Sequence, residues 1–92
     1  MKIMDQMLLE QIRKVFDAGG LTAASIIANG RRFHVVVDTK AGGQVALIRH
    51  SDKKIRFFSD PGTAITLLHD VGFRKIAVDT KAWNAGQAEL SS

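Results

Sequence analysis

The sequence predicts a two-layer α+β domain: an N-terminal helix, an antiparallel four-strand meander, a second helix and a C-terminal strand. Two observations lead there. Apolar residues recur at helical intervals near the start of the chain and again after Pro61, whereas between them apolar and polar residues alternate. Short connections rich in Gly, Asn, Asp and Lys separate the alternating runs, which makes consecutive strands antiparallel neighbours.

From Met4 to Ala18 the apolar residues Met4, Met7, Leu8, Ile12, Val15 and Phe16 share one helical face. Asp5 and Glu10 lie toward its start and Arg13 and Lys14 toward its end, the order a helix dipole favours. Gly19-Gly20 stops it. In the next segment, Asn29-Gly30 between apolar runs signals a hairpin. Its second arm is clear, with Phe33, Val35 and Val37 on one side and Arg32, His34, Val36 and Asp38 on the other. The first arm, residues 22–28, is alanine-rich and fits a strand or a short helix, with the hairpin favoured. A turn at Lys40-Ala41-Gly42-Gly43 leads to a strand from Gln44 to His50, and Ser51-Asp52-Lys53-Lys54 turns the chain into another from Ile55 to Phe58.

Ser59-Asp60-Pro61 opens the second helix, because Ser59 or Asp60 can cap it and proline suits its first turn. Ala64, Ile65, Leu67, Leu68 and Val71 form its apolar face and Gly72 ends it. Phe73 to Thr80 reads as the last strand. No composition break divides the chain, so residues 1–83 read as one domain, and the small, polar stretch 84–92 as a flexible tail. Val37-Asp38-Thr39-Lys40-Ala41 recurs as Val78-Asp79-Thr80-Lys81-Ala82. A duplication at that offset would make the region after Gly20 a helix. Strand ends also favour such residues through side-chain-to-backbone bonds.

Composition narrows the function classes. The chain has 92 residues, is 46% hydrophobic and has no cysteine, so disulfides, thiolate-zinc sites and cysteine nucleophiles are excluded. No apolar run approaches the roughly 18–20 residues of a membrane span. There is no nucleophile elbow, no phosphate-cradling Walker sequence and no G-x-G-x-x-G. His34, His50 and Asp38 can be drawn as a metal site, but histidines beside Arg32 and Arg49 on strand surfaces read better as solvated. The expectation is a protein without enzymatic activity, cofactor, metal or small-molecule substrate.

Thirteen Lys and Arg against nine Asp and Glu give a net charge of +4, and the pI is near 9.9. That surplus suits an anionic partner, and Arg31, Arg32, Arg49, Lys54 and Arg56 are the candidate nucleic-acid contacts, several on an outward sheet face. Met4, Met7, Leu8 and Trp83 exceed what a small core needs near its ends, which makes them candidate protein-interaction residues and suggests a homodimer.

The stretch from Arg56 to Asp79 carries an aromatic pair, an Asp-Pro helix cap, the run Ala64-Ile65-Thr66-Leu67-Leu68, Gly72, the basic pair Arg74-Lys75 and a Val78-Asp79 strand, followed by Trp83. With Gly19-Gly20-Leu21 and Val45-Ala46-Leu47 upstream, it resembles the ParC-type partition-associated proteins of bacterial plasmids and mobile elements. The resemblance implies a bacterial cytoplasmic accessory protein of plasmid partition or maintenance. Its partners would be partition proteins or DNA. It transfers no catalytic residue.

Overall fold

Residues 5–84 are described in the computed structural model of the chain, and the first of them form a strand where a helix is expected. β1 (Asp5–Met7) pairs in parallel with Val45–Leu47, and only then does α1 (Leu9–Asp17) begin. Leu8 has no side-chain acceptor to cap α1. Instead Gln11 Oε1 accepts the Leu8 N–H at 2.8 Å, while the Leu8 carbonyl takes the amides of Gln11 and Ile12. Met7 satisfies both patterns, since it packs against the core from a strand as it would from a helix. Three residues are too few to show a period of two, so the helical spacing at Met4, Met7 and Leu8 extends the expected helix too far. Met4 itself lies outside the described residues.

The hairpin forms as favoured. β2 (Leu21–Asn29) and β3 (Arg32–Thr39) are antiparallel, so the alanine-rich arm is strand and not helix. Its even-numbered residues Ala24, Ile26 and Ala28 are buried opposite Val37, Val35 and Phe33. Asn29 pairs with Arg32, which leaves Gly30 and Arg31 as the turn. Only Gly30, at φ 68, has positive φ there, the pattern of a type II′ hairpin with glycine first. The repeated Val-Asp-Thr-Lys-Ala does not mark a duplication at its own offset, because that alignment would set β2 against the second helix.

β4 (Gln44–Leu47) pairs antiparallel with β3 only as far as Val36–Ala46, after which the two strands splay. Ile55 to Phe58, expected as the fourth meander strand, fills that splay. Ile48 bridges Ile55, the Arg56 N–H reaches the Leu47 carbonyl, and Phe33 and Phe58 exchange both backbone bonds at 2.8 and 2.7 Å. The outer edge of β4 is already taken by β1, so the segment wedges inside the sheet instead of extending it.

α2 (Pro61–Val71) starts with Pro61 in its first turn and ends at Gly72. β5 (Ile76–Asp79) then pairs in parallel with β2, shorter than expected. The result is a mixed five-stranded sheet, β1-β4-β3-β2-β5, in place of an antiparallel meander. β1-α1-β2 and β4-α2-β5 are two interleaved units, each crossing the sheet in the same direction between parallel strands. Crossovers of one hand running one way put both helices on the same face. The core therefore lies between that face and Ile12, Ala64, Leu68 and Val71 of the helices. Arg13 of α1 meets Asp70 of α2 at 3.0 Å. Phe16 packs edge-on against Phe73, ring centroids 4.8 Å apart.

A basic end of the sheet

Strand direction gathers the candidate cations. The turn Gly30-Arg31, the first residue of β3, the segment from Ile48 to Phe58 and the exit from β5 toward Trp83 all lie at one end of the sheet. Both helices also begin there, since α1 follows Leu8 beside the end of β4 and α2 follows Phe58. Helix N-termini carry partial positive charge, so they reinforce the side-chain charges. Of the candidate contacts only Arg32 stands on a regular strand; Arg31, Arg49, Lys54 and Arg56 occupy the connections around it. The surface they make is the rim of the sheet. On the face away from the helices the middle row is uncharged, Gln6, Ala46, Val36, Ser25 and Ala77, with Ala46 and Val36 buried and Gln6 and Ala77 exposed.

Aromatic rings set the direction of two of these cations. The Arg32 guanidinium lies 4.2 Å from the Phe57 ring centre, and that of Arg56 lies 4.9 Å from the Phe58 ring. His34 meets the other side chain of this group, Phe57, at 5.9 Å between ring centres. Burial lowers the His34 pKa below its ordinary 6.5, and its buried Nδ1 has no hydrogen-bond partner among the described residues. Arg49 is different. Its Nε donates to Asp52 Oδ1 at 3.1 Å and its second nitrogen also grips that carboxylate. The hydrogen bond from Arg49, with one from the Lys54 N–H, holds the Asp52 carboxyl below the usual carboxylate range. Lys53 closes this turn at φ 60, its N–H on the Arg49 carbonyl at 3.0 Å. Among the described residues, Arg31, Arg32, Lys54 and Arg56 make no salt bridge.

Next to this end lies a cleft of about 390 Å³ whose lining joins the apolar Leu8, Leu9 and Ile48 to Glu10, Arg13, Arg49, His50 and Arg56. Sequence reasoning named Leu8, Arg49 and Arg56 as contacts and weighed His50 only for a metal. It did not foresee the cleft, because a helix start and a strand end meet only through the parallel β1–β4 pairing. Of the Arg–aromatic pairs, Arg56–Phe58 had a local signal in Arg56-Phe57-Phe58, whereas Arg32 reaches Phe57 across the sheet and not its sequence neighbour Phe33.

The candidate interaction residues do not come together as one patch. Met7 is half-buried against the core and Leu8 lines the cleft. Trp83 is 50% exposed at the basic end, tilted against Phe33 at 6.3 Å, where Ala82 and Asn84 bracket Gly30 with backbone bonds of 3.0 and 2.7 Å. No three His, Asp or Glu among the described residues form a metal-holding group. No described helix is long and apolar enough to cross a membrane. Comparison with protein-family models, curated proteins and solved structures finds no match to this chain.

Proposed function

We propose that this chain works by binding and not by catalysis, setting the basic end of its sheet against the phosphate backbone of DNA in the plasmid-partition or maintenance role that its resemblance implies. One observation supports the reading above others. Arg31, Arg32, Lys54 and Arg56, without carboxylate partners among the described residues, converge on the end where both helices start. Charges so placed, on the hairpin tip and the connections beside it, can neutralise phosphates, contacts that position a protein on DNA without specifying a sequence. Anisotropy of a labelled duplex tests this. With about four phosphates contacted, affinity falls roughly a hundredfold between about 50 and 200 mM salt. R32E/R56E removes binding while the circular dichroism stays unchanged. Absence of binding at low salt, or affinity indifferent to salt, overturns the reading.

The cleft favours a second reading, a protein partner. Leu8, Leu9 and Ile48 in its lining suit an apolar side chain. Arg56, which makes no salt bridge among the described residues, suits a flanking carboxylate, whereas Arg13 and Arg49 are already held by Asp70 and Asp52. Such a partner would be lost on Leu8→Glu, whereas DNA binding would persist.

A further inference from the structure

The two edges of the sheet differ. β1, at one edge, is three residues long and carries Asp5 and Gln6, the short and polar form that discourages pairing. β5, at the other, reads Ile76-Ala77-Val78-Asp79 after Lys75, without proline or bulge. No described residue pairs with its outer edge. Ala77 and Asp79 are exposed, and Val78, on the face shared with the helices, is 42% exposed. On α2, which leads into β5, Ile65 is exposed as well.

The order of residues along this edge is complementary to itself. When two such strands run antiparallel with Ala77 opposite Ala77, Ile76 faces Val78 of the second copy and Lys75 faces its Asp79. Each pair then occurs twice. Opposite charges and β-branched residues set directly across from each other are favourable cross-strand pairs. Among the described residues neither Lys75 nor Asp79 makes a salt bridge within the chain. Asp79 keeps one carboxylate oxygen on the Lys81 N–H at 2.9 Å. Ala77, alone on the axis, is small enough for its counterpart to approach closely.

We propose that β5 is a self-pairing edge. Two copies of this chain join antiparallel about a two-fold axis at Ala77, continuing the sheet from one protomer into the next with all helices on one side. The pairing is isologous, so it closes at two and does not propagate. It makes no use of the basic end and stands or falls independently of DNA binding.

Sedimentation across a dilution series, with the full chain, is the first test, and dimers that dissociate on dilution are expected. K75E sets like charges face to face and weakens the dimer at least tenfold, with thermal unfolding of the monomer unchanged. The swapped variant K75E/D79K restores it. Because the chain has no cysteine, A77C offers a second readout that needs no charge change. Antiparallel partners have Cα atoms about 4.5–5.5 Å apart, within the roughly 4.4–6.8 Å a disulfide spans. A77C therefore oxidises to a covalent dimer well before T66C, an exposed control on α2. A wild-type chain that stays monomeric at its highest soluble concentration overturns the proposal. So does a K75E dimer as tight as wild type, or equal cross-linking of A77C and T66C.

Discussion

Gly72 gives the most direct test of how the two helices are held together. It ends α2 at φ 136, where L-residues are strained, and a Cβ there would lie 2.4 Å from Cε1 and 2.6 Å from Cζ of Phe16 on α1. Gly72→Ala therefore combines two costs. The backbone conformation costs about 1–3 kcal/mol for a residue with a side chain. Forcing a methyl into the Phe16 ring adds about 1–3 kcal/mol of overpacking. Their sum, about 2–6 kcal/mol, is a large part of the roughly 5–14 kcal/mol expected for a domain this size. Urea unfolding followed by circular dichroism should show the midpoint falling by about 1–3 M at unchanged slope. Phe16→Leu separates the two terms, since it removes the ring atoms nearest Gly72 while keeping an apolar side chain. In the F16L background, G72A should cost only the backbone part, leaving a coupling of about 1–3 kcal/mol between the sites. A G72A penalty below about 1 kcal/mol, or the same penalty in both backgrounds, would refute the argument from close approach.

His34 supplies a pH dependence. Its folded pKa is lowered by burial, so between that value and the ordinary 6.5 the unfolded chain binds the extra proton; stability is full above pH 6.5 and falls as pH drops through the folded pKa. Melting temperatures from pH 7.5 to 5 should flatten in His34→Gln. At Arg13–Asp70 the side chains are 41% and 71% exposed, so Asp70→Ala should cost about 0–1 kcal/mol; a loss of several would show that the pair does more than bridge the helices. Leu68, 1% exposed, should cost about 2–5 kcal/mol on change to alanine, whereas Ile65, 40% exposed, should cost well under that, both read as urea midpoints.

The sequence shows strands best where a face is buried for long enough. Eight residues of β3, with Phe33, Val35 and Val37 inward and Arg32, His34, Val36 and Asp38 on the other side, define the strand, and all but Val36 among the latter mark which side is inward. Pro61 and Gly72 mark α2 because proline and glycine act through backbone geometry that does not depend on tertiary contacts, whereas the side-chain cap expected of Ser59 or Asp60 does not form at Asp60, the N-cap residue. β1 escapes notice because its three residues gain order only by pairing with Val45–Leu47 far along the chain. The wedge from Ile55 to Phe58 has the residue types of a strand, yet its place depends on the splay of two others. Much the same division applies to the basic end. The arginines could be named one by one, but their convergence follows from strand register, and no local pattern encodes that.

The interleaving of β1-α1-β2 with β4-α2-β5 also bears on the order of assembly. The β2–β3 hairpin closes over a two-residue loop, whereas β1 finds β4, and β5 finds β2, only after roughly half the chain has been gathered in. Loop-closure entropy makes the hairpin the early nucleus and the two outer strands the last to dock. Amide exchange should accordingly be slowest at Ile26 and Val35 and fastest at Gln6 and Ala77. The outermost strands can then detach while the central hairpin remains intact.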